Sequence, residues 1–316
     1  MTANIRSGLS RRGIDIVASS PTGAAWWEDA DLKEALQHAH MVVINGEGTL
    51  HHGAPEGARL LQAADYAAAL GKPVALVNTI YQDNPQDWAR RAGSVAYMAA
   101  RDLRSWASAR DAGFKVDYAP DLSFHDCRNS PGAEVRDAVA YGDSVYRDVT
   151  RRLFQAYRRA KGHKLYLPIR TRVKHAGTSW PLTLKQRYEN LRYEIASSVR
   201  QFPRFDIRLT STAEEYERCL SRVGLYVTGR YHAVCFAMLT RTPFRAVRSN
   251  SHKIEALIEE AGINPMRVAE SIDELVDSDP ADWRYSRKEQ ANLDAFLADA
   301  RHKIDAVLEK IAALAR

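Results

Sequence analysis

Two stretches of this 316-residue chain carry reactive side chains directly after an apolar run. In the first, Val42, Val43 and Ile44 lead into Asn45, Gly46, Glu47, Gly48 and Thr49, followed by Leu50, His51 and His52. Ligands of open parallel sheets bind at the carboxyl ends of strands, so a turn of this kind lies where chemistry is expected. Glycines let backbone approach a ligand closely and tolerate positive φ. Asn45, Gly46, Gly48, Thr49, His51 and His52 are therefore candidate binding-loop residues, and Glu47 is a candidate general base for a substrate hydroxyl. Equally, the segment reads as a tight turn whose Glu caps backbone amides. The spacing is neither GxGxxG nor a Walker loop, so nucleotide binding by those routes is not supported.

The second stretch is Tyr226–His232, an apolar run ending in Thr228 and Gly229, then Arg230, Tyr231 and His232. Arg230 offers a planar fork suited to bidentate carboxylate or phosphate binding. A histidine side chain can serve as an acid in water, which makes His232 a candidate proton donor. The helix expected to follow points its positive end at the same place, which favours an anion. Arg170 and Arg172 close another strand-like run, and Lys253 follows a third, with Ser251 as a candidate N-cap. Each alone reads as surface, and Arg230 alone as half of a structural ion pair. Together they place Arg170, Arg230, His232 and Lys253 on one positively charged rim.

The elements that must carry these groups alternate. Strands are expected at Ile14–Ser19, Met41–Asn45, Val74–Thr79, Val95–Ala100 and Val116–Ala119, with helices at Asp31–His38, Glu56–Leu70 and Pro85–Ala92. The pattern weakens between Phe124 and Tyr146. It resumes with helix Asp143–Lys161, strand Lys164–Ile169, a loop at Val173–Leu182 and helix Leu184–Val199. Strands Asp206–Leu209, Leu225–Thr228 and Phe244–Val247 then alternate with helices Ala213–Ser221, His232–Leu239 and His252–Ala261. Such alternation implies parallel sheets covered on both faces. The fold class is α/β: two Rossmann-like parallel-sheet lobes, residues 1–140 and 141–285, with an active site in the cleft between them. The chain ends in a long amphipathic helix, 286–315, expected to pack on the first lobe, with Leu293, Phe296, Leu297, Ile304, Val307, Leu308 and Ile311 on its apolar stripe. Before Ile14, either a first strand is missing or residues 1–12 form the helix that would have followed it.

Bulk properties narrow the classes. The net charge of +6 favours an anionic ligand or a membrane surface, but no zinc spacing or aromatic-basic motif points to nucleic acid. Three cysteines without CxxC spacing argue for reduced thiols rather than a disulfide framework. No stretch approaches the roughly 20 apolar residues of a membrane span. The N-terminus lacks the apolar core of a signal peptide, so a cytoplasmic protein is expected. The Arg147–Lys161 stretch carries Arg147, Arg151, Arg152, Arg158, Arg159 and Lys161. It reads as a solvated face, with peripheral attraction to anionic lipid at the inner membrane face as the alternative. Two DxD matches, at Asp29–Asp31 and Asp277–Asp279, fall at expected helix ends, where acids cap, so no metal site is expected.

The residues resemble those of the polysaccharide pyruvyl transferase family. INGEGTLHHG resembles its glycine-rich motif, and Ala100-Arg101-Asp102 with Ser105 resembles its R-(D/E)-xx-S segment. Pro120-Asp121-Leu122 resembles its (V/P)-D-(L/P) segment. VTGRYHAVCFAMLTRTPFRAV is similar to its signature (S/T)-G-R-x-H, and Lys253 falls where the family has a lysine. The resemblance runs in order from Ile14 to Gly262. It implies a GT-B-like fold and transfer of pyruvate from phosphoenolpyruvate to a sugar hydroxyl pair, giving a cyclic ketal. It further implies that Arg230 and His232 bind the donor, that His232 donates a proton, and that Arg170 and Lys253 assist; Arg172, at the same strand end as Arg170, is a further candidate donor-binding residue. The acceptor would be a saccharide, free or lipid-linked, and no cofactor is expected. Two departures stand out: Glu47 replaces a small residue of the glycine loop, and the usual first strand is not visible. A glycosyltransferase using a nucleotide-activated sugar, and a non-catalytic component of a polysaccharide assembly complex, are the alternatives.

Overall fold

The computed structural model describes residues 2–22, 24–125, 137–169, 206–210, 212–276 and 278–316. They group into two compact units, one of residues up to 125 together with 298–316, the other of residues 137–297.

In the first unit, strands β1 (Val42–Glu47), β2 (Val74–Thr79), β3 (Tyr97–Ala100) and β4 (Val116–Tyr118) pair in chain order, all parallel. Helices α1 (Thr2–Ser10), α2 (Ala30–His38), α3 (Pro55–Ala69) and α4 (Leu103–Asp111) accompany them. β2 is buried along its whole length, as expected of a strand covered on both faces. The core of this unit gathers Ile44, Leu61, Ala64, Ala67, Val74, Leu76, Trp88, Met98 and Phe114. In α3 the fully inward residues are Gly57, Leu61, Ala64 and Ala67. Asp29 and Asp102 cap α2 and α4 by accepting from the N–H groups of Leu32 and Ser105.

The second unit has five parallel strands, β5 (Val139–Ser144), β6 (Lys164–Tyr166), β7 (Leu225–Gly229), β8 (Phe244–Val247) and β9 (Val268–Ala269), in the order β6-β5-β7-β8-β9. Its helices are α5 (Arg147–Arg159), α6 (Ala213–Leu220), α7 (Tyr231–Leu239), α8 (Lys253–Glu260) and α9 (Ile272–Val276). A single parallel bridge from Ile207 to Tyr166 continues the sheet beyond β6. With it, the spatial order in chain numbering reads 3-2-1-4-5-6, the Rossmann order. Two arginines are sealed inside. Arg267 donates to Glu289 and to the carbonyls of Phe244 and Trp283, and Arg245 pairs with Glu274 and stacks on Trp283.

Helix α10 (Arg287–Leu314) closes the chain, and its stripe from Leu293 to Ile311 is buried as expected. Glu289 near its start pairs with Arg267 of the second unit. Asp305 accepts from Arg12 and contacts His125 in the first. Within the first unit, Gly8 of α1 lies so close to Leu308 that an added Cβ would sit 2.7 Å from its methyl carbon.

The α/β class, the parallel sheets and the long terminal helix expected from the sequence are what the chain shows. Several boundaries differ. Residues 2–10 form a helix, while Ile14–Ser19 forms no strand and is largely exposed. Its β-branched residues favour an extended chain, but a strand exists only with a partner, and among the described residues none pairs with it. Pro85–Ala92 is a tighter 3-10 run, Gln86–Ser94. A strand, β5, stands where the sequence alternation weakens, and α5 begins at Arg147, not Asp143. Asp206–Leu209 shrinks to the one bridge at Ile207. Val173–Leu182 and Leu184–Val199 lie outside the described residues. Cys219 and Cys235 are free thiols, and among the described residues no helix is long and apolar enough to cross a membrane.

Candidate functional site

The first candidate group sits where β1 runs into its turn. Gly46 is there for close approach: an added Cβ would lie 2.4 Å from the Thr79 hydroxyl oxygen on β2. The positive φ falls not on a glycine but on Glu47 itself, at 43°. Left-handed backbone costs an L-residue roughly 1–2 kcal/mol, so the surrounding contacts must hold it. They do so through the Glu47 carbonyl, which accepts from the Ile80 N–H at 3.0 Å, and through a chain of amides. The Leu122 N–H donates to Asn78 Oδ1, Asn78 Nδ2 donates to Asn45 Oδ1 at 3.1 Å, and Asn45 Nδ2 donates to Glu47 Oε1 at 3.1 Å. Every link points the same way, so each bond polarises the next toward the carboxylate. Asn78, buried within β2 at a register shift, is itself left-handed with φ 55°. Thr49 folds back on the Gly46 carbonyl through both its N–H and its hydroxyl. His51 and His52 pack edge to face, and His52 lies 3.6 Å from the Asp83 carboxylate. The structure thus joins Asn45, Gly46, Glu47 and Thr49 into one unit and adds Asn78.

The second group lies at the carboxyl ends of β5, β7 and β8. The Rossmann order reverses between β5 and β7: from β5 the chain proceeds to β6 on one side, and β7 lies on the other. In open parallel sheets the crevice at such a reversal is where ligands bind. Ser144 and Gly229 face each other across it in register, and an added Cβ on Gly229 would come within 2.5 Å of the Ser144 hydroxyl oxygen. Arg230 follows Gly229 and precedes α7. Its Nε donates to Asp143 Oδ2 at 2.8 Å, while its terminal amino groups have no protein partner among the described residues. Asp143 is buried, and its Oδ1 accepts from the Ile169 N–H at 2.9 Å. The Thr228 hydroxyl ties the two strands, donating to the Asp143 carbonyl and accepting from the Arg230 N–H. Beneath them, burial pushes the Tyr226 phenol up, and the Asp143 carboxylate adds to that shift.

His232 is the second residue of α7, half-buried, with its ring edge-on to Tyr231 at 5.3 Å. Lys253 opens α8 and donates to Asn250 Oδ1 at 2.5 Å in the turn after β8, the strand that pairs with β7. Arg230, His232 and Lys253 therefore occupy the ends of neighbouring strands. Arg170 and Arg172 lie outside the described residues. Ser251 does not cap α8: its N-cap is His252, with no side-chain capping bond.

Sequence reasoning missed Asp143 and Asn78. A signal for Asp143 existed, since Val139-Ala140-Tyr141 followed by Gly142-Asp143-Ser144 repeats the apolar-run-to-polar-end form of the other two motifs. Asn78 sits in the middle of an apolar run and announces nothing by type or spacing. Two further motifs prove structural. Asp102 caps α4 together with Ser105, and Arg101 forms a sealed ion pair with Asp121 at 3.4 Å. Asp29 and Asp279 cap helical turns, and among the described residues no cluster of three or more His, Cys, Asp or Glu side chains suits a metal ion.

A sequence model of the polysaccharide pyruvyl transferase family matches residues 5–251. No curated protein matches the chain. Among solved structures, an uncharacterised protein of Klebsiella pneumoniae is similar at 11% identity and a TM-score of 0.46, covering 84% of this chain and 86% of its own. HepE of Anabaena, solved in complex with UDP and glucose, is similar at 11% identity and a TM-score of 0.46 over 96% and 88%. An O-GlcNAc transferase of Thermobaculum terrenum is similar at 11% identity and a TM-score of 0.40 over 99% and 73%. Likenesses this distant bear on neither ligand nor reaction.

Proposed function

The chain belongs to the polysaccharide pyruvyl transferase family, and within it we propose that this protein transfers pyruvate from phosphoenolpyruvate to a pair of sugar hydroxyls. The observation that carries this reading is Arg230 at the β5/β7 reversal, its terminal amino groups without a protein partner among the described residues, and His232 two residues on at the start of α7. Phosphoenolpyruvate bears a carboxylate and a phosphate on one small frame, so its site needs fixed cations. Arg230 and Lys253 supply them, and the N-terminus of α7 adds its dipole.

The chemistry follows from the donor. His232 gives a proton to the terminal enol carbon, which becomes a methyl group and leaves an oxocarbenium-like centre at the carbon bearing phosphate. One sugar hydroxyl adds there and surrenders its proton to a base, for which Glu47 is proposed. The C–O bond to phosphate then breaks, the second hydroxyl adds, and its proton leaves with the phosphate. One diol and one phosphoenolpyruvate thus give one ketal and one inorganic phosphate. Donors fixed at the phosphate lower the barrier to its departure, and the steps as written call for no metal or cofactor. The acceptor is a saccharide of the cell envelope, free or lipid-linked. The exposed arginines of α5 support peripheral contact with an anionic membrane face of the cytoplasm.

Thermal unfolding with phosphoenolpyruvate and with UDP-, GDP- and CMP-sugars tests the reading. The expected result is a rise in melting temperature with phosphoenolpyruvate that Arg230→Ala abolishes. A rise with a nucleotide sugar alone would replace pyruvyl transfer by glycosyl transfer.

A further inference from the structure

Asp143 belongs to no motif of the resemblance, and among the described residues the expected site residue it pairs with is Arg230. We infer that it is the positioning residue of the anion site: its carboxylate clamps the Nε edge of Arg230 so that the two terminal amino groups, not the side edge, meet the ligand. This rests on the reading of the β5/β7 crevice as the donor site.

A guanidinium can grip an oxyanion by either of two edges, the side edge of Nε–H with one terminal N–H or the end edge of two terminal N–H groups. In Arg230 the side edge is taken. Nε donates to Asp143 Oδ2 at 2.8 Å, and the Arg230 side chain is 20% exposed against 5% for Asp143. The carboxylate is itself immobile, because Oδ1 accepts from the Ile169 N–H and the Asp143 carbonyl accepts from the Thr228 hydroxyl. Thr228 also holds the Arg230 N–H at 3.2 Å, so the arginine is fixed at both backbone and head. A long flexible side chain loses rotamer freedom when it binds a ligand, and a clamp that orders it beforehand removes that cost from binding. A buried carboxylate without its cation is strongly unfavourable, so the pair holds together whether or not ligand is present. The end edge is then the one left for a ligand, its two N–H groups spaced for two oxygens of a carboxylate or phosphate.

The test is a double-variant cycle on the full chain, with dissociation constants measured by calorimetry for phosphoenolpyruvate and, in parallel, UDP-glucose. Asp143→Asn keeps the shape and an oxygen for Ile169 but removes the charge that orients Nε–H. Arg230→Ala is expected to weaken binding about 30-fold or more, and Asp143→Asn about tenfold. The double variant should bind no more weakly than Arg230→Ala alone, because Asp143 acts only through Arg230. Additive losses, or wild-type affinity in an Asp143→Asn protein that melts normally, would overturn the inference. Arg230→Lys decides the matter should Asp143→Asn fail to fold. It keeps the charge and lacks the fork, so a loss as large as that of Arg230→Ala is expected, and near-wild-type binding would sink the clamp. If the wild type binds UDP-glucose and not phosphoenolpyruvate, the pyruvyl-transfer reading fails while the cycle on UDP-glucose still judges Asp143. Binding of neither overturns both.

Discussion

Among the Arg–Asp pairs of the described residues, two with a buried carboxylate differ in what they leave over. Arg101 and Asp121, in the first unit, are both sealed from solvent at 3.4 Å. Arg230 and Asp143, in the second, meet at 2.8 Å with the arginine partly exposed and its terminal amino groups turned to no protein partner among the described residues. The first pair uses up its charge inside the fold. The second holds an arginine in place and leaves its donors for something else. The same contrast runs through the two strand-end groups. Around Glu47 the side-chain partners are neutral amides, which suit hydroxyls, whereas Asp143 pairs with a cation, Arg230, whose remaining donors suit an anion.

Breaking the sealed pair should have the largest effect. Arg101→Ala strands a buried carboxylate, so a loss of about 3–5 kcal/mol is expected in urea unfolding, with ligand affinity unchanged in whatever fraction stays folded. Arg230→Ala strands the buried Asp143 in the same way, so the two variants part on ligand: Arg230→Ala alone should weaken binding, and equal affinities would collapse the distinction between the two pairs. Next in size are the reactive groups. His232→Gln and Glu47→Gln are each expected to lower kcat at least about a hundredfold if they act as acid and base. Near-normal turnover in Glu47→Gln would reduce the first group to binding alone.

A smaller effect separates strain from hydrogen bonding at Asn78. Asn78→Gly and Asn78→Ala lose the same amide bonds, but only Ala must adopt φ 55° with a Cβ. The Ala variant should therefore be less stable than the Gly variant by about 1 kcal/mol. Equal stabilities would show that the left-handed turn costs nothing there.

The smallest effect at neutral pH concerns the fastening of α10. Burial raises the pKa of Glu289, but hydrogen bonds from Arg267 and from the Ser286 and Asn264 backbone outweigh it and hold the group at about 2. The unfolded chain has the ordinary value of 4.5, so this stabilisation is complete above that value and fades as pH falls toward 2. Solvent screening makes it modest. Asp305 shows the same net lowering: burial raises it, and His125 and Arg12 bring it down. Urea midpoints should drop between pH 5 and 3, and Glu289→Gln should flatten that drop. An unchanged pH profile in the variant would remove Glu289 from the account.

The elements were legible where hydrophobic pattern and length agreed. β1, β2, β7 and β8 each read as an apolar run between glycine or polar punctuation, and α10 as a stripe too regular to miss. Ile14–Ser19 misled because propensity is local while pairing is not. β5 was lost because Gly142, Asp143 and Ser144 dilute its apolar run, and those are the residues that the crevice uses. Gly46 and Gly48 looked like the flexible points of their turn, yet the left-handed residue is Glu47, which only its neighbours can hold there.

By itself, the sequence determined the class of fold, the family and the Gly-Arg-x-His segment, because periodicity and short motifs are properties of neighbouring residues. The structure alone decided that β5 and β7 lie side by side, that Asp143 thereby takes one edge of Arg230, and that Asn78 completes a relay to Glu47. Those pairings join residues 87 and 33 positions apart, and strand order, which brings them together, follows from packing of the whole unit and not from any local stretch of chain.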